Sequence, residues 1–275
     1  RDLHSFPTRR SSDLKMIFYF SGTGNSAYVA KNAAIKLNEK CISIPMAIKN
    51  KEFIYTLEDH ENIGFVYPIH GFIPPKIVTN FIKDLKFTNY DNQYVYSIST
   101  CAGDYEAAPD VLNSCLNKIK LSLDGSYNIL MPGNYTVAEN KLPKEEEERR
   151  VKEAGKEIQK ICESIIDIKK TYKRTSYLNL KSYFKSYIIG GMFFDLSTRT
   201  IPFDVNDKCT CCQSCVKGCP VNALKLEDGK ILRDNKKCIL CMKCINCCPN
   251  EAINFSDKTI GKKRYKHPEY KITDI

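Results

Sequence analysis

From Met16 onward the chain alternates short runs of apolar, β-favouring residues with longer stretches whose apolar positions recur every three or four residues. This alternation predicts an α/β domain built on a doubly wound parallel sheet. Five strands are expected, at Met16 to Phe20, Cys41 to Pro45, Asn62 to Tyr67, Gln93 to Ser99 and Tyr127 to Met131, with helices after them. The last helix carries the fullest set of signals. Pro143 suits its first turn, Glu145 to Glu148 oppose the positive end of the dipole, and Lys169 and Lys170 sit at the other end. Its stripe of Val151, Ala154, Ile158, Ile161, Ile165 and Ile168 predicts one face buried against the sheet.

After this helix the pattern changes. Residues 171–202 form a connector rich in aromatics (Tyr177, Tyr183, Phe184, Tyr187, Phe193, Phe194) and broken by Gly190 and Gly191. Its longest apolar run, Tyr187 to Phe194, is too short to span a bilayer, so no transmembrane segment is expected. Packing between domains is the expected role, with surface membrane attachment as the alternative. Residues 1–15 show neither apolar period nor signal-peptide core. They read as a non-native or disordered leader, in which HSFPTRRSSDL resembles a translated sequencing-adapter fragment.

Composition changes the picture through cysteine. At 275 residues and 43% hydrophobic content, the chain can bury one sizeable core and a small second domain. Its 14 cysteines crowd toward the C-terminus, which points to metal binding in a reducing, cytoplasmic compartment rather than to disulfides. Cys209, Cys212, Cys215 and Cys219 followed by Pro220 give C-x2-C-x2-C-x3-C-P, and Cys238, Cys241, Cys244 and Cys248 followed by Pro249 repeat it 29 residues on. This is the spacing of two 4Fe-4S clusters in a module resembling bacterial ferredoxins. Zinc modules instead use separated pairs of C-x2-C knuckles. The fourth cysteine of each run reaches the other cluster, so the expected sets are Cys209, Cys212, Cys215 with Cys248, and Cys238, Cys241, Cys244 with Cys219. Cys211 and Cys247 lie off the duplicated register and are expected not to be ligands. Cys41, Cys115 and Cys162 read as buried apolar residues.

A second chemistry sits directly after the first strand, where Ser21-Gly22-Thr23-Gly24-Asn25-Ser26 opens a helix. Two glycines allow close backbone approach, hydroxyls donate, and the helix start adds positive potential, so the loop suits a monophosphate. It lacks both the Walker lysine and G-x-G-x-x-G. This loop resembles that of the flavodoxins, which implies FMN. The resemblance places the flavin ring near Tyr67-Pro68-Ile69-His70-Gly71-Phe72 and Ser99-Thr100-Cys101-Ala102-Gly103-Asp104-Tyr105. The site residues it implies are Ser21 to Ser26, Pro68, His70, Gly71, Phe72, Thr100 to Gly103 and Tyr105, with Phe72 and Tyr105 as candidates for stacking on the ring. His70 reads as either a plain loop histidine or a proton donor.

The order of parts, with Met131-Pro132-Gly133-Asn134-Tyr135 after the fifth strand, resembles a family of flavodoxin-ferredoxin fusion proteins of anaerobes. That resemblance implies a leader at 1–15, a flavodoxin-like FMN domain at 16–170, the connector at 171–202, a small α+β two-cluster ferredoxin domain at 203–256 and a basic, surface-docking tail at 257–275. Electron transfer between 4Fe-4S clusters and FMN is the implied function, with redox proteins or a small-molecule acceptor as partners. The rival is a redox sensor or docking protein using the same cofactors without turnover. The net charge of +10 does not indicate nucleic acid. The leader accounts for +2, two oxidised clusters contribute about −4 and a flavin phosphate about −2, which leaves the holoprotein near +2.

Overall fold

The computed structural model describes residues 16–58, 61–103, 105, 107–137, 142–174, 184, 186 and 191–270, with 191–195 described by backbone alone. The leader, Asp104, the connector aromatics Tyr177, Tyr183 and Tyr187, and the tail from Lys271 lie outside the described residues.

The chain runs β1 (Met16–Tyr19), α1 (Asn25–Leu37), β2 (Lys40–Ser43), α2 (Ile44–Asn50), β3 (Ile54–Thr56), β4 (Ile63–Pro68), α3 (Lys76–Asp84), β5 (Lys86–Thr88), β6 (Val95–Cys101), α4 (Ala108–Asn117), β7 (Gly125–Leu130) and α5 (Lys144–Ile166). Five strands pair in parallel in the order β2-β1-β4-β6-β7. The first strand is therefore interior, between β2 and β4, and the winding reverses beside it. Both faces are covered, which is why β1 and β6 read as continuous buried runs rather than as alternating patterns. Ile17, Val66 and Ile98 join the core shared with α1 and α5, while Phe18, Phe65 and Phe81 build the opposite core with α3 and α4. The Phe18 ring lies 5.6 Å from Phe65 and 5.4 Å from Phe81.

All five expected strands are present, with shifted ends. The second stops at Ser43 because Pro45 occupies the first turn of α2. On α5, Ile168 falls beyond the helix end and is 57% exposed, and Cys162 takes a place on the buried face. The parallel pair of β3 and β5 was not foreseen, since three residues each leave no readable period.

From Asp204 the chain builds a second assembly of short elements: β8 (Asp204–Val205), a hairpin of β9 (Leu224–Glu227) and β10 (Lys230–Arg233), and β11 (Ile253–Asn254) paired antiparallel with β8. Helical turns occupy Ser214–Lys217 and Lys243–Cys247. The sequence duplication is also a backbone duplication. Cys211, Gln213 and Asn222 have positive φ, and so do Leu240, Met242 and Glu251, each 29 residues later. The Ala223 amide donates to the Cys219 sulfur at 3.2 Å, and the Ala252 amide donates to the Cys248 sulfur at 3.3 Å.

This assembly is seated on the α/β domain, with Val221, Ile239 and Cys241 packed on the core beside α3 and α4. The tail, expected only as a surface feature, is built in. Tyr265, His267 and Tyr270 are buried, and the His267 amide donates to the Thr23 carbonyl at 2.8 Å.

Candidate cofactor site

The loop from Ser21 to Gly24 turns the chain from β1 into α1. Gly24 has φ 105°, and a Cβ there would meet the side chains of Tyr270 and His267, so both backbone geometry and space require glycine. Ser21 Oγ accepts from the Gly24 amide at 3.1 Å, and Ser26 Oγ and Thr100 Oγ1 share a hydrogen bond of 2.8 Å that ties the helix to β6. The first turn of α1 has no side-chain cap, and its leading amides have no carbonyl one turn back. Such a terminus holds an anion. Thr23 Oγ1 accepts from Asn134 Nδ2 at 3.0 Å, which leaves its own proton to donate. The Asn25 side chain is committed elsewhere: its Nδ2 donates to the Pro132 carbonyl at 2.8 Å and its Oδ1 accepts from the Tyr265 hydroxyl at 2.7 Å.

The loops at the carboxyl ends of β4, β6 and β7 complete the site. His70 and Ile73 exchange backbone hydrogen bonds across a turn whose central residues, Gly71 and Phe72, both have positive φ. Phe72 therefore carries backbone strain that a non-glycine residue bears only when its surroundings hold it. Ser186, from the connector, supplies that hold by donating to the Phe72 carbonyl at 3.0 Å and accepting from the Ala107 amide at 3.0 Å. Arg150 of α5 donates to the Ala102 carbonyl at 3.0 Å, and the Cys101 thiol donates to the Gly103 carbonyl at 2.5 Å.

Together these loops enclose a cavity of about 460 Å³. Ser21 to Thr23, Asn25, Ser26, Pro68, His70 to Phe72 and Thr100 to Gly103 all line it. Gly24 and Tyr105 do not, and Tyr105 is 44% exposed. The second aromatic ring on the wall, besides Phe72, is Tyr135. Ile69, within the segment expected near the ring, also lines the cavity, as do Met131 to Tyr135, which the site residues did not include; sequence reading missed Leu240, contributed by the second cysteine run and only 2% exposed. Burial pushes His70 down to about 4, so its imidazole is neutral at pH 7 and carries no proton to give as an imidazolium.

The eight register cysteines fall into two groups. Cys219, Cys238, Cys241 and Cys244 line one small cavity, and Cys209, Cys212, Cys215 and Cys248 line another. These are the crossed sets that the spacing implies. Among the described residues, no group of three or more His, Cys, Asp or Glu is arranged to hold a metal ion. A 4Fe-4S cluster makes a different demand, with each of four thiolates on its own iron around a cage. Burial pushes Cys241 up to about 12, Cys215 up to about 11 and Cys244 well above the usual thiol range. These thiols would ionise only beside compensating positive charge.

The surroundings suit an anionic cluster. Arg233 lies beside Cys238 and Cys244, and Arg264 beside Cys248 and Cys244. The Arg233 side chain is within hydrogen-bonding reach of Cys238, and Arg264 Nε and Nη1 are buried with no hydrogen-bond partner among the described residues. Backbone amides also reach the cysteine sulfurs, from Ala223 to Cys219 and from Ala252 to Cys248, an arrangement suited to an anion. Cys211 also lines the cavity of the Cys209, Cys212, Cys215 and Cys248 set, with its sulfur 3.2 Å from the Gly229 carbonyl, whereas Cys247 lines neither. Of the three cysteines read as buried, Cys162 is buried and Cys41 and Cys115 are half-buried.

Comparison with solved structures finds several that match part of the chain at low overall similarity. The Trp repressor binding protein of Bacillus subtilis is 16% identical over 44% of this chain and 85% of its own, with a TM-score of 0.31. An azoreductase of Bacillus anthracis is 10% identical over 55% of this chain and 99% of its own, at 0.33. Megasphaera elsdenii flavodoxin is 14% identical over 52% of this chain and 98% of its own, at 0.31. No family model and no curated protein matches the chain. What decides the fold is the strand order itself, 2-1-3-4-5 among the sheet strands. The α/β domain is flavodoxin-like. Its cavity lies at the carboxyl ends of the strands, beside the point where the winding reverses, as expected of this order. Among the described residues, no helix is long and apolar enough to cross a membrane.

Proposed function

We propose that this chain is an electron-transfer flavo-iron-sulfur protein, with FMN in the 460 Å³ cavity and 4Fe-4S clusters at the two cysteine sets, serving a redox protein or a small-molecule acceptor. In this reading residues 16–170 are the flavodoxin-like FMN domain and 203–256 the ferredoxin domain, joined by 171–202 and followed by the tail. The observation that carries it is the wall shared by the two sites. Leu240 lines the cavity, and the neighbouring Cys241 carbonyl lies against Gly22.

FMN, when bound, supplies a centre that takes or gives electrons singly or in pairs. The chain's own residues set its position. Amides at the start of α1 and the Thr23 hydroxyl hold the phosphate. The turn at Gly71 and Phe72 and the segment Ala102–Gly103 offer backbone to the ring edge, and Phe72 and Tyr135 offer ring faces. Leu240 excludes water from the side facing the cysteines. The set of Cys219, Cys238, Cys241 and Cys244 is the one adjoining the cavity, whereas Cys212 of the other set is exposed and faces partners.

Rapid mixing with dithionite tests this. Flavin reduction that follows cluster reduction at a rate independent of protein concentration is the expected result. A rate rising linearly with concentration would show that the two sites serve separate partners.

A further inference from the structure

The two copies of the cysteine run share their backbone but not their surroundings, and one position differs most in chemistry. Lys217, between the third and fourth cysteines of the first run, is exposed. Its counterpart 29 residues on is Asn246, which is 5% exposed and has every hydrogen-bonding site of its amide used. Nδ2 donates to the Met242 carbonyl at 2.9 Å and to the Asn134 carbonyl at 3.0 Å. Oδ1 accepts from Thr136 Oγ1 at 3.1 Å and from the Tyr265 amide at 2.9 Å. The partners fix the orientation of the amide, because two are carbonyls and one is an N–H.

Two of these bonds, to Asn134 and from Tyr265, lead toward the first loop. Asn134 donates from its own side chain to Thr23 Oγ1 at 3.0 Å, and Tyr265 donates from its hydroxyl to Asn25 Oδ1 at 2.7 Å. Asn246 thus stands between two cysteines of the second run and reaches both side chains that flank Gly24 through one intermediate residue each.

We propose that Asn246 is a positioning residue that couples the cysteine run to the phosphate loop, so that occupancy of the Cys219, Cys238, Cys241 and Cys244 site and affinity for FMN rise together. The inference rests on the cofactor assignment above. A run that is not wrapped around its cluster no longer holds the turn Lys243–Cys247 in place, and Asn246 then releases Asn134 and Tyr265. The coupling is reciprocal, as linkage requires: bound FMN also favours the cluster-loaded run.

The test is a thermodynamic cycle on the full chain, with FMN dissociation constants measured by flavin fluorescence, iron and sulfide by chemical assay, and folding by circular dichroism. Cluster-loaded wild-type chain is expected to bind FMN about tenfold more tightly than chain stripped of iron by chelator, a difference of about 1.4 kcal/mol. In Asn246→Ala the loaded chain weakens toward the stripped wild type, and stripping then costs less than about threefold. Asn246→Lys, which installs the side chain of the first copy, behaves like the alanine variant. A role confined to stability would leave the tenfold coupling intact in both variants. That result, or wild-type FMN affinity indifferent to iron content, overturns the proposal. Failure of cluster-loaded wild-type chain to bind FMN at all would instead overturn the cofactor assignment.

Discussion

The backbone carbonyl of Cys241 lies against the α-carbon of Gly22 so closely that a methyl group at Gly22 would overlap it. A residue of the phosphate loop and a residue of a cysteine run are therefore in backbone contact, and neither can retreat by a side-chain rotation. Gly22→Ala is expected to displace the second assembly or the loop at a cost of roughly 1–3 kcal/mol, the range for an extra methyl in a packed interior. Urea unfolding measures it. A midpoint equal to that of the wild type would show that the contact is loose.

Thr23 carries the loop's other direct duty. Its hydroxyl accepts from Asn134 and has its proton left for the phosphate. Thr23→Ala should lose one charge-assisted bond, roughly 1.5–3 kcal/mol, or about ten- to a hundredfold in FMN affinity, while Thr23→Ser should retain most of it. Fluorescence titration distinguishes the two. Equal affinities for wild type and Thr23→Ala would place the phosphate elsewhere.

Arg233 lies beside Cys238 and Cys244, with Phe203 and Phe255 flanking its guanidinium at 5.3 and 5.1 Å. A fixed positive charge beside the proposed cluster would favour its more negative, reduced state. Arg233→Met is expected to shift one of two reduction potentials to more negative values and leave the other nearly unchanged, as read by a redox titration followed by electron paramagnetic resonance. Movement of both by the same amount would indicate a general structural effect.

Two buried histidines give the fold a pH dependence. Burial pushes His70 and His267 down to about 4, and His267 Nε2 has no hydrogen-bond partner among the described residues. The unfolded chain takes up these protons near the ordinary value of about 6.5. Stability from this source is complete above that pH and is lost as pH falls toward the folded values, by at most roughly 3 kcal/mol per histidine. Urea midpoints should fall from pH 7 to pH 5, and His267→Gln should flatten the slope. A slope unchanged in that variant would exclude the tail histidine as a source.

Much of this was legible in the sequence because the signals are local. The run after Lys15 is strand because Met16 to Tyr19 are all buried. The duplicated cysteine spacing carries the same left-handed residues and the same amide-to-sulfur bonds in both copies. What escaped was long-range. Leu240 reads as a spacer between cysteines until its copy, Cys211, is set beside it. The same comparison pairs Met242 with Gln213 and Asn246 with Lys217. In each pair the second copy is buried and the first is not. Comparing the copies position by position was the signal that would have exposed the interface. Tyr105 does not line the cavity and is exposed, and Tyr135 takes a place on the wall from a segment with no apolar period. The basic residues of the tail gave a surface reading. Tyr265, His267 and Tyr270 between them are the part that packs.

The central claim is that one chain holds both kinds of cofactor, and direct quantification after anaerobic purification and reconstitution tests it. The expected result is one FMN with about eight iron and about eight acid-labile sulfide per chain. Stoichiometric zinc without sulfide, or a chain that ignores added FMN, would contradict it.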